Sequence, residues 1–475
     1  MLVPLWTDWL VWLLVLAVLA FIGYARGREH LSAPWRRVVT SPAAMASIVV
    51  LAGFLAIGLL DSVHYRASLG SGKDGGKQAF AVEVLSGLDW MLSGLRARQE
   101  KTYSAPFALH LFQKESIERP DGKIERVFPR LRHAGTHLKS EGDLAFDVAS
   151  RALVGVLAGT IITVILAMLA TLWIARSAGA TFSSTWAAIR GGRTVACWRA
   201  ALIALWLMLI ATFVAASLTP HYHVFGTDKV GQDVFYQALK SIRTALVIGT
   251  VTTLVTLPLG VLLGIAAGYF KGWVDDIITY IYTTINSIPS VLLIAASVLM
   301  MQVYLETHPE LFPTTAQRAD LRLLFLCIIL GFTSWTGLAR LLRGESLKLR
   351  ELEFIQAAQA FGVTHARTIT RHILPNTMHI VLIALVMEFS SLVLAEAVLS
   401  YIGVGVDPTM ISFGTMINTA RLEMGREPMV WWSLTAAFSF MIVLVLAANL
   451  FADTVRDAFD PRNAMGGAAG LGAPR

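Results

Sequence analysis

The sequence predicts an all-α polytopic membrane protein of about nine transmembrane helices, and three observations carry that reading. Mean hydropathy is +0.62. Hydrophobic residues make up 55% of the chain and charged residues only 15%, against about 25% charged in soluble domains. Apolar runs near bilayer length recur at 5–24, 43–60, 152–174, 197–217, 244–268, 283–303, 322–341, 379–402 and 430–451. About 20 apolar residues are enough for a helix to cross the hydrocarbon core.

The first run lacks a small-residue cleavage pattern, and Arg26 and Arg28 follow it rather than precede it. It reads as a retained anchor, not a signal peptide. The second run is the shortest. A polar insert, about 61–150, separates the second run from the third. Its Gly70–Gly76 stretch mimics a phosphate loop, but S-G-K-D-G-G-K-Q lacks the leading Gly and the Ser or Thr after Lys77. Trp90, Phe107, Leu109, Leu111, Phe112 and Phe128 are the residues from which the insert can build a small core. His110, His133 and His137 are either metal ligands or solvated, hydrogen-bonded histidines. Cys197 and Cys327 are too few for a disulfide framework and read as small buried hydrophobes.

Five spans with short loops follow. Pro258 with Gly260 in the fifth, and Asn286 with Pro289 in the sixth, mark kinks or helix contacts. Glu388 and Glu396 fall in the eighth, where a charge is expensive and is a functional candidate by default. They line a solute path with Asn286, or they bond a neighbouring helix. Eight residues is about two turns plus 80°, so the two carboxylates share at best a broad face.

Orientation follows from the short loops, because Lys and Arg accumulate on the cytoplasmic side. Loops 25–42, 175–196, 269–282, 342–378 and 452–475 hold most of them, including Arg36, Arg37, Arg190, Arg193, Lys348 and Arg350. The reading places the amino terminus and the insert outside and the carboxyl terminus inside. The net charge of +7 is then mainly a topology signal, and nucleic-acid binding is excluded.

Loop 342–378 has its own organisation. Leu352, Ile355 and Gln359 share one helical face, and Phe354, Ala358 and Phe361 an adjoining one. Gly362 suits the left-handed position that closes a helix. Thr364 can cap the next helix, and Pro375 is expected to stop it before the following span. Ala357 and Ala358 leave room for another backbone. The alternative is an amphipathic helix lying on the lipid surface.

Gln356, Ala357, Ala358, Gly362, His372, Leu374 and Pro375 fall at the spacing E-A-A-x(3)-G-x(9)-I-x-L-P, with Gln356 in place of Glu and His372 in place of Ile. The segment resembles the coupling loop of a binding-protein-dependent ABC importer permease. Other segments resemble the second permease subunit of the dipeptide, oligopeptide and nickel family. They are His223-Val-Phe-Gly-Thr-Asp-Lys-Val-Gly-Gln-Asp-Val234, in which Gln232 replaces an Arg, together with Gly272-Trp-Val-Asp275, Glu396-Ala-Val-Leu-Ser-Tyr-Ile-Gly-Val-Gly405 and Asp453-Thr-Val-Arg-Asp-Ala-Phe-Asp-Pro-Arg462. The resemblance covers about half the chain.

It implies a permease core of five or six helices over 221–462, behind an N-terminal membrane region, 1–220, and before a flexible tail, 463–475. It also implies a non-enzymatic transport subunit in a bacterial inner membrane, with peptides as the leading substrate and nickel or other solutes open. The implied partners are a homologous permease, two ATPase subunits that use ATP and Mg, and a solute-binding protein outside. The chain itself is expected to bind no cofactor and to surround itself with membrane lipid. The competing classes are a stand-alone secondary transporter or channel, and a sensor or scaffold built on the insert. No catalytic triad or zinc spacing is present, and no H-E-x-x-H or G-x-S-x-G motif.

Overall fold

A computed structural model describes residues 1–26, 29–68, 80–118, 124–138, 140–308, 310 and 314–459. Arg28, the Gly70–Gly76 stretch, Asp460-Pro-Arg462 and the tail 463–475 lie outside the described residues. Those described form an all-α polytopic fold, with nine helices long and apolar enough to cross a membrane. Number and order agree with the hydropathy reading.

In chain order the helices begin with α1 (Trp6–Arg26), α2 (Glu29–Thr40) and α3 (Pro42–Asp61), then short α4 (Gly87–Met91) and α5 (Ser93–Ala97) of the insert. Next come α6 (Leu144–Ala178), α7 (Phe182–Arg190), α8 (Trp198–Leu218), α9 (Val234–Phe270), α10 (Gly272–Ser287) and α11 (Ser290–Thr307). The last are α12 (Thr315–Arg350), α13 (Glu353–Ala360), α14 (His365–Thr368), α15 (Leu374–Ile402), α16 (Phe413–Glu423) and α17 (Trp432–Phe459). The insert adds two antiparallel pairs, β1 (His64–Tyr65) with β2 (Leu85–Ser86) and β3 (Glu115–Glu118) with β4 (Ile124–Val127).

The chain divides into two compact units, with cuts inside α2, α9 and α17. The first holds Met1–Pro4, Arg36–Thr244 and Ile411–Leu450. Its hairpin of α6 and α8 closes on a ladder of small residues. Gly155, Gly159, Thr163, Ala167, Thr171 and Ala175, each four residues on from the last, are the buried positions of α6. A β-carbon at Gly159 would lie 2.9 Å from Ile210 Cα, and one at Gly155 2.6 Å from Val214 Cα. With lipid as apolar as the helices, such close backbone approach is what holds membrane helices together.

The insert belongs to this unit and packs partly on itself and partly on residues at the ends of α8 and α17. Leu109 packs with Leu138, Leu218 and Tyr222, and Phe112 stands edge-on to Trp432 at 4.8 Å. Leu111 packs with Leu131 and Ala134. Trp90 and Phe128, expected in that core, are exposed. The membrane-proximal partners Tyr222 and Trp432 supply the aromatic surface instead.

The second unit holds Leu5–Trp35, Ala245–Met410 and Phe451–Arg475. Its core gathers Val247, Ile248 and Val251 of α9, Leu323, Leu326, Cys327 and Leu330 of α12, and Leu392 and Leu399 of α15. Pro258 sits inside unbroken α9, and Gly260 is a close contact, its missing β-carbon 2.8 Å from Leu338 Cδ2. Pro289, by contrast, ends a helix. It drives Ile288 into the extended region (φ −91°, ψ 131°), so α10 stops at Ser287 and the sixth span begins at Ser290. Asn286 therefore belongs to α10, not to the sixth span.

Candidate functional site

The segment after α12 is a helical hairpin, and its turn is written in local sequence. Leu352 is extended and starts α13, with Glu353 in the first turn at the positive end of the helix dipole. At the far end Gly362 has φ +77°. Its N–H reaches the Gln359 carbonyl at 3.0 Å, and Val363 N–H reaches that of Ala358 at 3.0 Å. That pair of bonds is a complete left-handed helix cap, open to Gly at little cost. Thr364 follows in an extended conformation at the N-cap of α14, but its hydroxyl makes no capping bond. Its carbonyl accepts the first bond of the helix, from Thr368 N–H at 3.0 Å.

Pro375 does not stop the second helix, contrary to the sequence expectation. α14 runs into a five-residue π turn, Ile369–Ile373, and then directly into α15. Leu374 N–H bonds the Ile369 carbonyl, five residues back. The widened turn accommodates a ring that in an α-helix would press on the carbonyl four residues earlier. Asn376 Nδ2 also donates to the His372 carbonyl, at 2.6 Å.

The hairpin's inner side is locked. Ile355 and Ile373, both fully buried, pack with Ile265 and Tyr269 of α9. Tyr269 is the hub. Its hydroxyl meets His365 Nδ1 at 2.8 Å and accepts from Gln359 Nε2 at 3.2 Å. Its carbonyl accepts from Arg350 at 2.6 Å, and the same guanidinium lies 5.9 Å from the ring. One helix earlier, Asp275 receives both a 2.6 Å and a 2.7 Å bond from Arg343, tying α10 to α12. Those bonds hold the Asp275 carboxyl below its ordinary range despite partial burial.

The outer side is left uncovered. Phe361 is 87% exposed, Phe354 47% and Leu352 43%. Ala357, Gln356 and Pro375 are exposed too, while Ala358, His372 and Leu374 are half-buried. Phe354 and His372 bring the hairpin's two arms together, with ring centroids 6.0 Å apart. Gln356 merely donates to the Glu351 carbonyl at 3.2 Å. The two sequence faces thus separate, with Ile355 and Gln359 turned inward and Phe354 and Phe361 outward. Leu352, grouped by spacing with the inner pair, sits at the rim. An apolar surface on a polar loop marks a place for a partner.

The pathway candidates are placed differently. Glu396 is buried and accepts from Ser400 Oγ at 2.7 Å, on its own helix. Glu388 is half-buried, and exposed Asn286 accepts from Thr336 of α12 at 3.1 Å. No hydrogen bond joins Asn286 to Glu388 among the described residues.

The segment 223–234 is built for fixation. His223 Nδ1 donates to Asp233 at 2.7 Å, with Nε2 3.6 Å from Glu100 of the insert, all three buried. Burial works against the imidazolium, but the bonds to Asp233 and Glu100 outweigh it and push His223 up to about 9. Glu100 also accepts backbone N–H groups of Arg132 and His133, at 3.0 and 2.7 Å. Gly231, at φ +77°, leaves space that a β-carbon would lose, 1.8 Å from the Glu100 carbonyl oxygen. Gln232 accepts from Gln237 at 3.0 Å, a neutral bond at the position of the expected Arg. In the sequence Tyr269 has no assigned role, and Arg343 counts only as a charge of the basic loop 342–378. An aromatic ring at a span end, the one signal Tyr269 gives, is equally the signature of the membrane interface.

Residues 260–465 match the family described as binding-protein-dependent transport system inner membrane component. The chain is 29% identical over 278 residues to the oligopeptide transport system permease protein of Mycobacterium bovis, covering 55% of this chain and 89% of that protein. Against the glutathione transport system permease protein of Pectobacterium atrosepticum it is 31% identical over 242 residues, covering 50% and 73%. A methionine ABC transporter solved in inward-facing conformations matches with a TM-score of 0.33 and 18% identity, over 46% of this chain and 93% of that one.

Proposed function

We propose, for a chain that belongs to the family of binding-protein-dependent transport system inner membrane components, that the α13–α14 hairpin couples it to cytoplasmic ATPase subunits. The observation that carries this reading is the two-sidedness of the hairpin. Its inner side packs on and bonds Tyr269 of α9, which Arg350 of α12 holds in turn, so a push on it reaches both helices. Its outer side presents Phe354, Phe361 and Leu352 to a partner. A lipid-surface helix would need no left-handed break at Gly362 and no hydrogen-bonded hub beneath it.

In this reading the chain supplies half of a translocation pathway and a homologous permease the other half. A binding protein delivers solute from outside, and ATP with Mg is consumed by the partner ATPases. The similarity to oligopeptide and glutathione permeases makes peptides the leading substrate class. The basic loops, Arg190, Lys348 and Arg350 among them, support a cytoplasmic hairpin in a bacterial inner membrane.

Reconstitution tests the reading. In proteoliposomes the chain alone should neither hydrolyse ATP nor move peptide, whereas addition of the second permease, both ATPases and the binding protein should give ATP-dependent uptake. Robust ATP hydrolysis by the isolated polypeptide would overturn the subunit role.

A further inference from the structure

Beyond the shared core, the first unit carries a cleft that the coupling function does not use. It has a volume of about 680 Å³, within the range of about 300–1,000 Å³ of pockets that hold small ligands. The small-residue ladder of α6 explains it. Gly155 and Gly159 bring α8 into backbone contact, but one and two turns further on Thr163 and Ala167 face Trp206, Leu202 and Ile203 across an unfilled seam. Trp206 is held by its Nε1 bond to Thr160, at 3.2 Å. The third wall is α7, whose Phe182, Trp186 and Ile189, spaced four and three apart, line the cleft.

Arg190 and Arg199 complete the lining. Both are exposed, and neither has an ion-pair or hydrogen-bond partner among the described residues. No acidic residue occurs anywhere between Asp147 and Asp228, so the sequence offers them no local counter-ion. An apolar slot walled by α6, α7 and α8, with Trp186, Trp206 and two unpaired guanidiniums in its lining, is complementary to an acyl chain ending in a phosphate. We infer that α6, α7 and α8 form a binding site for an anionic phospholipid, its chain in the seam and its phosphate on Arg190 and Arg199. The inference needs only that the chain sits in a bilayer, and it stands apart from the coupling role.

The full chain, purified and delipidated in detergent, is titrated with phosphatidylglycerol, with phosphatidylcholine of the same acyl chains, and with chainless glycerol phosphate. Native mass spectrometry reads the bound lipid. Phosphatidylglycerol should bind at least tenfold more tightly than phosphatidylcholine, and glycerol phosphate should not bind. Arg190→Gln with Arg199→Gln should abolish the preference, and the two Lys replacements should keep most of it. Arg176→Gln with Arg193→Gln, on basic residues at the same end but outside the cleft lining, should leave it intact. Because Arg190 and Arg199 are exposed and unpaired, the Gln variants should fold normally, which the helical circular dichroism checks. Equal binding of both lipids, equal loss in the Arg176/Arg193 pair, or binding of glycerol phosphate as tightly as lipid would each overturn the inference. So would a photo-crosslinker at Leu202 that captures a polypeptide in native membranes instead of lipid.

Discussion

Replacing Gly362 by Val isolates the turn between the two arms of the hairpin. The backbone there has φ +77°, and an added β-carbon would meet no atom within 4 Å. Crowding therefore contributes nothing, and the whole cost is the left-handed backbone, about 1–3 kcal/mol for a branched residue. If docking requires this turn, that energy corresponds to a weakening of about 5- to 150-fold. Ile355 and Ile373, which pin the arms from beneath, are untouched, so the membrane helices should still assemble. Gly362→Asn provides the comparison, because Asn tolerates the left-handed region. The assay is pull-down of the ATPase subunits by each variant beside a blot of its membrane abundance. The Val variant should reach the membrane at normal levels and lose the ATPases, and the Asn variant should keep them. Unchanged docking by both would refute the hairpin as the docking element and return it to the lipid surface.

Ala357→Glu should leave abundance unchanged, because Ala357 is exposed in this chain, yet abolish pull-down by placing an unpaired carboxylate inside the docked surface. A cysteine at Phe361, which is 87% exposed, with Cys197 and Cys327 first replaced, should resist an impermeant reagent added outside intact cells yet react once the cells are opened, and labelling from outside would reverse the orientation. The His223 cluster predicts a pH dependence of insert docking. Its folded value of about 9 lies above the ordinary 6.5, so the stabilisation, roughly 3 kcal/mol, is whole below pH 6.5 and lost as pH rises through about 9. Limited proteolysis of the insert should accelerate across that window in the native chain, and His223→Gln should be cleaved readily at every pH.

Hydropathy made the number and order of the spans legible, because desolvating a helix backbone demands an apolar run of fixed length wherever the bilayer is crossed. The Gly362 turn was equally legible, since a left-handed cap is a local requirement with a preferred residue. The π turn at Ile369–Ile373 was not, because it resolves a conflict between Pro375 and a helix that tertiary packing insists on continuing. The ladder on α6 was in the sequence at a spacing of four, but hydropathy weighs Gly and Ala only for their polarity and not for their size. Trp90 and Phe128 were misassigned for a related reason. A large apolar side chain in a polar insert signals a core only when a partner surface lies within reach, and Phe112 meets Trp432 where Trp90 and Phe128 stay exposed.

The motif residues differ in whether their side chains are already engaged within the chain. In 223–234, His223, Thr227, Asp228 and Asp233 all have hydrogen-bond partners within the first unit. Lys240 adds a second link, with Asp61 at 2.6 Å and Asp89 at 3.1 Å. All of them fix one arrangement of the insert, and the Lys240 pairs add less stability than their distances suggest, since desolvation offsets much of the attraction. Asp275 is likewise engaged by Arg343, and Gly405 lies so close to Ser400 that a β-carbon would come within 1.9 Å of its Oγ. Along 352–361 the pattern reverses. Phe354 and Phe361 stay exposed, Phe354 meeting only the His372 ring of the facing arm, and Ala357 is exposed beside them, on a hairpin whose other side packs on Ile265 and Tyr269. A hydrophobic surface held rigid from behind can transmit force only if something binds it in front. The proposed coupling to an ATPase rests on that asymmetry and not on the motif spacing alone.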